Sequence, residues 1–217
     1  MIKYYVKIVS LFLLVLFPGF CYSAPVKDDA AIAWVNDTGH RLIDALSTDD
    51  IDNKYAVLDN MFNNDIDLNY ISRFVIGKYW REMNKEQQTE YVGLFSRYAL
   101  SLYKSFPLEF DTKGLGFEVL SVTQHQKFTD VTCLIRLPEE MITEKIDSIN
   151  VKFKLTQNND KIMIIDLILG ESSLLTTYRT RFYDMIKSLD YEMSWFLEDF
   201  TDMVISAEKT AQEKLGY

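Results

Sequence analysis

Four strand-like runs follow one another in the second half of the chain, and they constrain its fold more than any other feature. In the third run, Val151, Phe153 and Leu155 alternate with lysine and threonine, which is typical of a strand with one buried face. Polar turns such as 157–160 join the runs. The pattern predicts an antiparallel four-stranded meander that packs one face against other elements. The four runs cover residues 117–123, 128–137, 151–156 and 161–169.

Helical patterns flank the predicted sheet on both sides. Residues 30–62 are typical of two short polar helices, and residues 65–80 of a packed helix. Asn84 followed by Gln87 is a capping-box signature for a helix that runs to about Ser105. Two more helices are predicted after Gly170, with a polar tail that frays from Glu208. Together these elements predict an α+β domain. The wide apolar stripe of the capped helix contains Tyr91, Phe95, Tyr98 and Leu102.

The N-terminus has the three-part layout of a secretory signal. Lys3 and Lys7 precede an apolar run over 8–20, and the small residues of 21–24 follow it. The run is shorter than the roughly 20 residues that a membrane-spanning helix needs, which argues against an anchor. Phe20, before Cys21, argues against a lipoprotein. We therefore predict that residues 1–24 are a cleaved signal peptide and that residues 25–217 form one domain in the periplasm.

The charge of the exported chain excludes several partners. Removing residues 1–24 deletes two lysines and no acidic residue, which takes the formal charge from −9 to −11. A protein that binds nucleic acid needs a basic surface, so nucleic acid is excluded as a partner. Tight docking on an anionic bilayer also uses clustered basic residues, so contact with membranes or membrane complexes is expected to be transient.

The residues that usually carry catalysis or bind metals are scarce. After loss of Cys21, the chain retains Cys133, His40 and His125, with no pair at metal-ligand spacing and no second cysteine for a disulfide. Neither histidine lies near a nucleophile motif, and no glycine-rich phosphate loop is present. We therefore expect no metal, no cofactor, no catalytic residue and no enzymatic activity.

Asp166 is the one acidic residue in an unusual place, because it interrupts the apolar run of the fourth predicted strand. A carboxylate there points to solvent or requires a partner. Arg179 and Arg181 are the partners that we expect, so a structural ion pair is the default. Catalysis by Asp166 is the alternative.

Two segments resemble the MlaC family, also described as toluene-tolerance or phospholipid-binding auxiliary components of ABC transporters. The first is Arg-Phe-Val-Ile-Gly-Lys-Tyr-Trp at 73–80, continued by the glutamine-rich helix start at 85–95 and by Tyr103. The second is Asp166 and Gly170 leading into 173–182. The resemblance covers nearly all of the exported chain. The link at 170–173 departs from it by being longer than the Gly-Val-Ser that is usual in the family.

The resemblance implies a soluble carrier with phospholipid as its cargo. Such a carrier exchanges lipid with an inner-membrane permease complex and an outer-membrane lipoprotein complex, and it maintains outer-membrane lipid asymmetry. It also implies that the sheet and helices enclose an apolar cavity, in an NTF2-like or cystatin-like arrangement. We expect the headgroup to stay at the mouth, because no compact basic site is present.

Eleven residues are predicted to line this cavity. Two helices provide the first group, and alternate positions of the sheet provide the second. They are Phe95, Tyr98, Leu102, Tyr178 and Phe182, and Val119, Val131, Cys133, Ile135, Phe153 and Leu155.

Two other functions are compatible with export and acidity. A periplasmic interaction module would have a filled core and would carry no lipid. An enzyme on a cone-shaped α+β fold would use a carboxylate such as Asp166 as a base in an apolar pocket.

Overall fold

A computed structural model describes residues 24–105, 111–144, 146–158 and 160–215. The predicted signal peptide lies outside these ranges except for Ala24. No helix in the described ranges is long and apolar enough to cross a membrane. Ala24 pairs with Gln157 of the sheet through two backbone hydrogen bonds of 3.1 and 2.9 Å, so the segment before the first helix is held against the sheet.

The N-terminal half of the described chain is helical. The two helices predicted over 30–62 are longer than expected, and the second begins at an Asp50 cap whose carboxylate accepts the Asn53 N–H at 3.1 Å. A similar cap by Asp67 starts the third helix. These elements are α1 (Asp28–Ser47), α2 (Ile51–Asp65), α3 (Leu68–Ile76) and a 3₁₀ turn (Gly77–Arg81).

Helix α4 (Lys85–Lys104) begins where its sequence signature predicts. The Asn84 side chain accepts the Gln87 N–H at 2.9 Å, and the Gln87 side chain accepts the Asn84 N–H at 3.0 Å. This reciprocal pair satisfies two backbone donors that a helix start otherwise leaves unpaired. The capping box is therefore confirmed.

The sheet is antiparallel, as predicted, with sequential strand order. The described part of the chain has five strands rather than four, because the link after Gly170 pairs briefly with β4. β1 and β4 each contain a β-bulge, in which Leu120 and Ile165 respectively have no partner in the register. A bulge bends the strand and changes the face on which the following side chains lie. The strands are β1 (Gly116–Gln124), β2 (Thr129–Arg136), β3 (Ser148–Asn158), β4 (Lys161–Leu169) and β5 (Ser172–Ser173).

Helix α1 covers one face of this sheet. Fully buried Val131, Cys133 and Leu155 on the sheet pack with residues of α1 and of the segment before it. Strand alternation places these three side chains on the same face, because Val131 and Cys133 are two apart and Leu155 pairs with Thr129. We call this group the sheet core; it also contains Val26, Ala31 and Val35.

The remaining helices, α5 (Leu174–Ser188) and α6 (Met193–Leu215), build a second core with α3 and α4. Helix α4 packs along α6, and α3 packs along α5. The centre of this helical core is aromatic, with the Phe182 and Phe200 ring centroids 5.0 Å apart. Edge-to-face rings of this kind add stability beyond the burial of their area. The central rings are Tyr91, Phe95, Phe182, Phe196 and Phe200.

Gly77 explains why a glycine stands three residues before Trp80 in the first family-like segment. Its backbone has φ = 54°, a region that strains other residues. A β-carbon there would lie 2.2 Å from the Tyr183 hydroxyl oxygen and 2.6 Å from Arg179. The tyrosine hydroxyl accepts the Lys78 N–H at 3.2 Å, so the glycine lets α5 approach the end of α3.

The expected ion pair of Asp166 is wrong. The Asp166 carboxylate is buried and accepts the Ser173 hydroxyl at 2.7 Å and the Leu175 N–H at 3.1 Å. It therefore caps the N-terminus of α5, where the helix dipole favours an anion. Arg179 and Arg181 bond instead to tyrosine hydroxyls. The sequence could not reveal this cap because its acceptor lies on a strand rather than beside the helix.

The C-terminal segment that was predicted to fray is helical through Leu215. Arg97 of α4 holds it with two hydrogen bonds of 2.8 Å to the Glu208 carboxylate, and Ala211 is buried. This bidentate pair joins α4 to α6, the two helices that pack most extensively in the helical core.

One buried and one half-buried tyrosine predict a loss of stability in alkali. Burial raises the pKa of Tyr91 well above its ordinary value, and burial together with the Asp59 carboxylate raises the pKa of Tyr103. Tyrosine in the unfolded chain has a pKa of about 10. Stability from these groups is therefore complete below pH 10 and falls as the pH rises further, because only the unfolded chain releases the protons.

Urea unfolding between pH 9 and pH 12 measures this effect. The free energy of unfolding is expected to fall as the pH rises above 10. In the Tyr91→Phe variant it is expected to fall less steeply with pH, because unfolding then releases up to about one proton fewer. An identical slope in the variant would contradict the assignment. The Tyr91 hydroxyl donates to the Ser72 carbonyl at 2.9 Å, so the variant also loses some stability at every pH.

Candidate functional site

A cavity of about 430 Å³ lies between the sheet, α1 and α2. This volume is within the range of small-molecule sites. It adjoins the sheet core and is on the side of the molecule that α1 covers. The cavity is therefore enclosed by a sheet and a helical layer, although not by the helices that the sequence suggested.

The helical wall comes mainly from one stripe of α1. Val35, Gly39, Leu42, Ile43 and Leu46 recur at intervals of three and four residues, which places them on one side of the helix. The acidic and basic residues of α1 point elsewhere. Trp34, Thr38 and, from α2, Met61 complete this wall.

The sheet wall follows the strand alternation. Phe117 pairs with Ile135, and Phe153 pairs with Leu167, so all four lie on the face that α1 covers. Because Ile165 is an extra residue in the register, Ile164 pairs with Leu155 and lies on the same face as Leu167. The sheet residues that line the cavity are Gly116, Phe117, Ile135, Val151, Phe153, Ile164, Leu167 and Leu169.

One end of the cavity is closed and the other is open. At the closed end, Val131 and Leu155 are completely buried in the sheet core. At the other end, Met141 and Leu169 line the cavity and are each more than 40% exposed. Leu137 and Pro138, next to the β2–β3 connection, also lie at this open end.

The cavity lining is almost entirely apolar. Among the described lining residues, Thr38 has the one polar side chain, and none is charged. The described residues also contain no group of three or more histidine, cysteine or acidic side chains that could hold a metal. Asp166, the candidate base, caps α5 and is not a lining residue. The described lining is thus suited to bind an apolar ligand, and it contains no acidic, histidine, lysine or cysteine side chain.

Six of the eleven predicted lining residues belong to the sheet, and they do lie on one face. Ile135 and Phe153 line the cavity. Val119, Val131, Cys133 and Leu155 pack in or against the sheet core next to its closed end. Burial raises the pKa of the Cys133 thiol to about 11, so this thiol stays protonated and unreactive in the folded protein. Lipid contact by any of the six stays a prediction.

The five predicted helical residues are not lining residues. Phe95, Tyr98 and Phe182 are buried in the helical core, and Leu102 and Tyr178 pack against it. The stripes of α4 and α5 are wide because these helices pack against other helices. A stripe shows that a helix face is buried but does not show what covers it. Lipid contact by these five residues stays a prediction.

Sequence reasoning missed the stripe of α1. Asn36, Asp37 and His40 lie between its apolar residues, so the segment is polar on average. The regular spacing of Val35, Leu42 and Leu46 was the available signal.

Gly39 makes room for a cavity wall, which gives a testable prediction. A β-carbon on Gly39 would lie 2.4 to 2.9 Å from the Phe117 ring, so that ring has to move. The open space beside it is the cavity. We expect Gly39→Ala to displace the ring, narrow the cavity and reduce the amount of apolar ligand that the protein retains. Better helix propensity, worth about 1 kcal/mol, offsets part of the packing loss.

The matched control for this change is Gly93→Ala in α4. A β-carbon on Gly93 meets no atom within 4 Å, so the variant is expected to gain helix stability without any change in retained ligand. Thermal unfolding and quantification of extracted ligand measure both effects. Unchanged retention in Gly39→Ala would show that the Phe117 ring does not limit the cavity.

The fold and this cavity define the class of protein: an α+β domain with an apolar cavity between its sheet and its first two helices. A model of the MlaC protein family matches residues 36–193, which is more than half of the sequence. The chain therefore belongs to the MlaC family, and the resemblance seen in the sequence is confirmed. No curated protein sequence shows significant similarity to this chain.

A solved structure supports the fold. The phospholipid-binding protein from Ralstonia solanacearum, determined in complex with a phospholipid, superimposes with a TM-score of 0.63. The match covers 81% of this chain and 97% of that chain at 12% sequence identity. At this identity the similarity shows that the two proteins share a fold.

Proposed function

We propose that this protein is a phospholipid carrier of the periplasm. Acyl chains occupy the apolar cavity while the headgroup stays at the open end. The carrier takes up or delivers lipid at an inner-membrane ABC transporter complex and an outer-membrane lipoprotein complex, and it thereby maintains outer-membrane lipid asymmetry. The observation that carries this proposal is the apolar, one-ended cavity between α1 and the sheet.

The energetics of transfer favour an enclosed site. Each methylene group gains about 0.8 kcal/mol on burial, so a lipid with two chains costs on the order of 20 kcal/mol to expose to water. A cavity whose described lining has one polar side chain removes much of that cost. Membership of the MlaC family and the shared fold with a phospholipid-binding protein support phospholipid as the cargo.

The cavity also favours this proposal over the two alternative functions. An interaction module with a filled core would have side chains where the cavity stands. A carboxylate enzyme would have an acidic group in the pocket, whereas Asp166 is used as a helix cap. The proposed carrier needs neither a filled core nor a base.

Export rests on the layout of residues 1–24, and its details are part of the proposal. Cleavage after Ala24, as predicted from the sequence, removes both backbone hydrogen bonds of Ala24 with Gln157, whereas cleavage one residue earlier keeps them. Transient contact with membrane complexes agrees with the acidic charge of the exported chain. Fractionation of cells that express the full chain tests the compartment, and N-terminal sequencing tests the cleavage point.

The decisive experiment is native mass spectrometry of the exported protein, purified without detergent. Lipid extraction from the same sample identifies what is bound. We expect phospholipid at close to one molecule per chain. A clean unliganded mass that persists after incubation with phospholipid vesicles would overturn the carrier and favour the interaction module.

A further inference from the structure

The sulfur-containing side chains of the described chain differ in their exposure to solvent. Six of its seven methionines are buried or half-buried, whereas Met141 is 42% exposed. Cys133 is completely buried, so its thiol is shielded from solutes. Oxidants attack sulfur side chains according to their exposure. Within the part of the chain that the structure describes, Met141 is therefore the sulfur group that an oxidant reaches most easily.

Met141 lies where a change in polarity matters for binding. With Leu169 it lines the open end of the cavity, next to Leu137 and Pro138. Among the described lining residues, the one polar side chain is that of Thr38, which belongs to α1. The described lining side chains therefore offer little hydrogen bonding to a polar group introduced at position 141.

The backbone of Met141 is held in place by the segment before β1. Met141 ends a 3₁₀ turn (Glu139–Met141), and its N–H donates to the Pro138 carbonyl at 2.9 Å. The Glu139 N–H donates to the Lys113 carbonyl at 2.9 Å, and the Lys113 ammonium pairs with the Glu139 carboxylate at 2.9 Å. A chemical change in the Met141 side chain can therefore alter the opening without any change in the backbone.

Oxidation of a thioether by hydrogen peroxide makes such a change. A sulfur lone pair attacks one peroxide oxygen, a sulfur–oxygen bond forms, and the oxygen–oxygen bond breaks. The departing hydroxide takes up the proton of the transferred oxygen, so the products are a sulfoxide and water. The sulfur loses two electrons and the peroxide gains them. A flexible apolar side chain thereby becomes a polar one, and methionine sulfoxide reductases reverse the reaction.

We propose that Met141 is an oxidation site that controls access to the cavity. In the reduced protein, the Met141 thioether packs against the bound ligand. In the oxidised protein, the sulfoxide oxygen must lose its hydration against an apolar ligand or turn towards water and open a gap in the wall. This inference rests on the proposed carrier function and adds a reversible regulation to it. If the chain is exported as proposed, it lies outside the reducing cytosol.

The test combines limited oxidation with lipid retention. Delipidated, exported protein is treated with hydrogen peroxide until it gains one oxygen atom, and peptide mass spectrometry locates that atom. Treated and untreated samples are then incubated with vesicles of phosphatidylethanolamine and phosphatidylglycerol, and native mass spectrometry quantifies the retained lipid. Each protein is compared with its own untreated sample, so a change in the starting retention does not affect the result.

Three variants complete the design. Met141→Leu removes the sulfur atom and keeps an apolar side chain. Met141→Gln introduces a polar group of similar length without any oxidant. Met203→Leu is the control, because Met203 is half-buried in α6 against the helical core and is not a lining residue. Circular dichroism checks that each variant is folded.

The first oxygen atom is expected on Met141, and the oxidised protein is expected to retain on the order of tenfold less lipid. Methionine sulfoxide reductases of both epimer specificities are expected to restore retention. The Met141→Leu variant is expected to be insensitive to peroxide, and Met203→Leu is expected to be as sensitive as the unaltered protein. Met141→Gln is expected to retain less lipid than Met141→Leu without any treatment.

The outcomes separate this inference from the function on which it rests. If the untreated, unaltered protein retains no lipid, the carrier function fails and control of access fails with it. If it retains lipid but the first oxygen atom lies on another residue, such as the half-buried lining residue Met61, the oxidation site is overturned while the carrier stands. Undiminished retention after oxidation of Met141, or equal sensitivity of Met141→Leu to peroxide, would also overturn it.

Discussion

Leu42→Asp is expected to reduce phospholipid retention by at least tenfold while leaving the protein folded. Leu42 lies in the middle of the α1 wall, where the described cavity lining contains no charge. A carboxylate that faces an acyl chain must lose its hydration without gaining a partner. The free-energy cost far exceeds the 1.4 kcal/mol or so that weakens binding tenfold. In the empty cavity water can reach the new carboxylate, so the unliganded protein tolerates it. Native mass spectrometry of the exported variant measures the loss.

Ile32→Asp is the matched control on the same helix. Ile32 is exposed and is not a lining residue, so aspartate there should leave retention unchanged. Circular dichroism of both variants checks that α1 remains helical. Full retention by a folded Leu42→Asp variant would show that the acyl chains bind elsewhere, and it would overturn the assignment of this cavity.

Phe182→Ala is expected to have the largest effect on stability. Phe182 is completely buried, and its ring packs against Tyr91, Phe95, Phe196 and Phe200. Loss of a phenyl ring from such a site costs about 3 to 5 kcal/mol, which corresponds to a fall in melting temperature on the order of 10 °C. Chemical denaturation of the variant measures the change in the free energy of unfolding.

Phe153→Ala is the comparison that gives this number meaning. The Phe153 ring borders empty space, so its removal enlarges an existing cavity and sacrifices fewer contacts. We expect a loss of less than half that of Phe182→Ala. Equal losses at the two positions would indicate that the side of the sheet facing α1 is packed as tightly as the helical core. That result would contradict the presence of an open cavity beside Phe153.

Local signals in the sequence predicted much of the fold. The capping box at Asn84 fixed the start of α4, and the alternation around Phe153 fixed which residues of β3 share a face. Both signals are carried by residues close together in the chain, so they survive without knowledge of the tertiary structure. The short strand Ser172–Ser173 was not predicted, because two residues are too few to show the alternation of apolar and polar side chains that marks a strand.

The location of the site was harder to predict than its chemistry. Phe95 and Phe182 have the strong stripes that a cavity wall could have, but a stripe contains no information about the partner that buries it. The diluted stripe of Leu42 and Leu46 looked too polar to be a wall, although a wall that borders a cavity needs fewer apolar residues than a packed core. The role of Asp166 was hidden for a related reason, since its partners are set by how β4 meets α5.

The separation of the two cores bears on how such a protein can diversify. Empty volume is a thermodynamic loss for any domain, because the side chains around it give up contacts. Here the aromatic core formed by α3 to α6 stabilises the fold, and it is separate from the cavity. Substitutions that reshape the pocket for longer, shorter or bulkier cargo can therefore accumulate in α1 and on the sheet while the folding free energy remains sufficient, so ligand preference and foldability can change largely independently of one another.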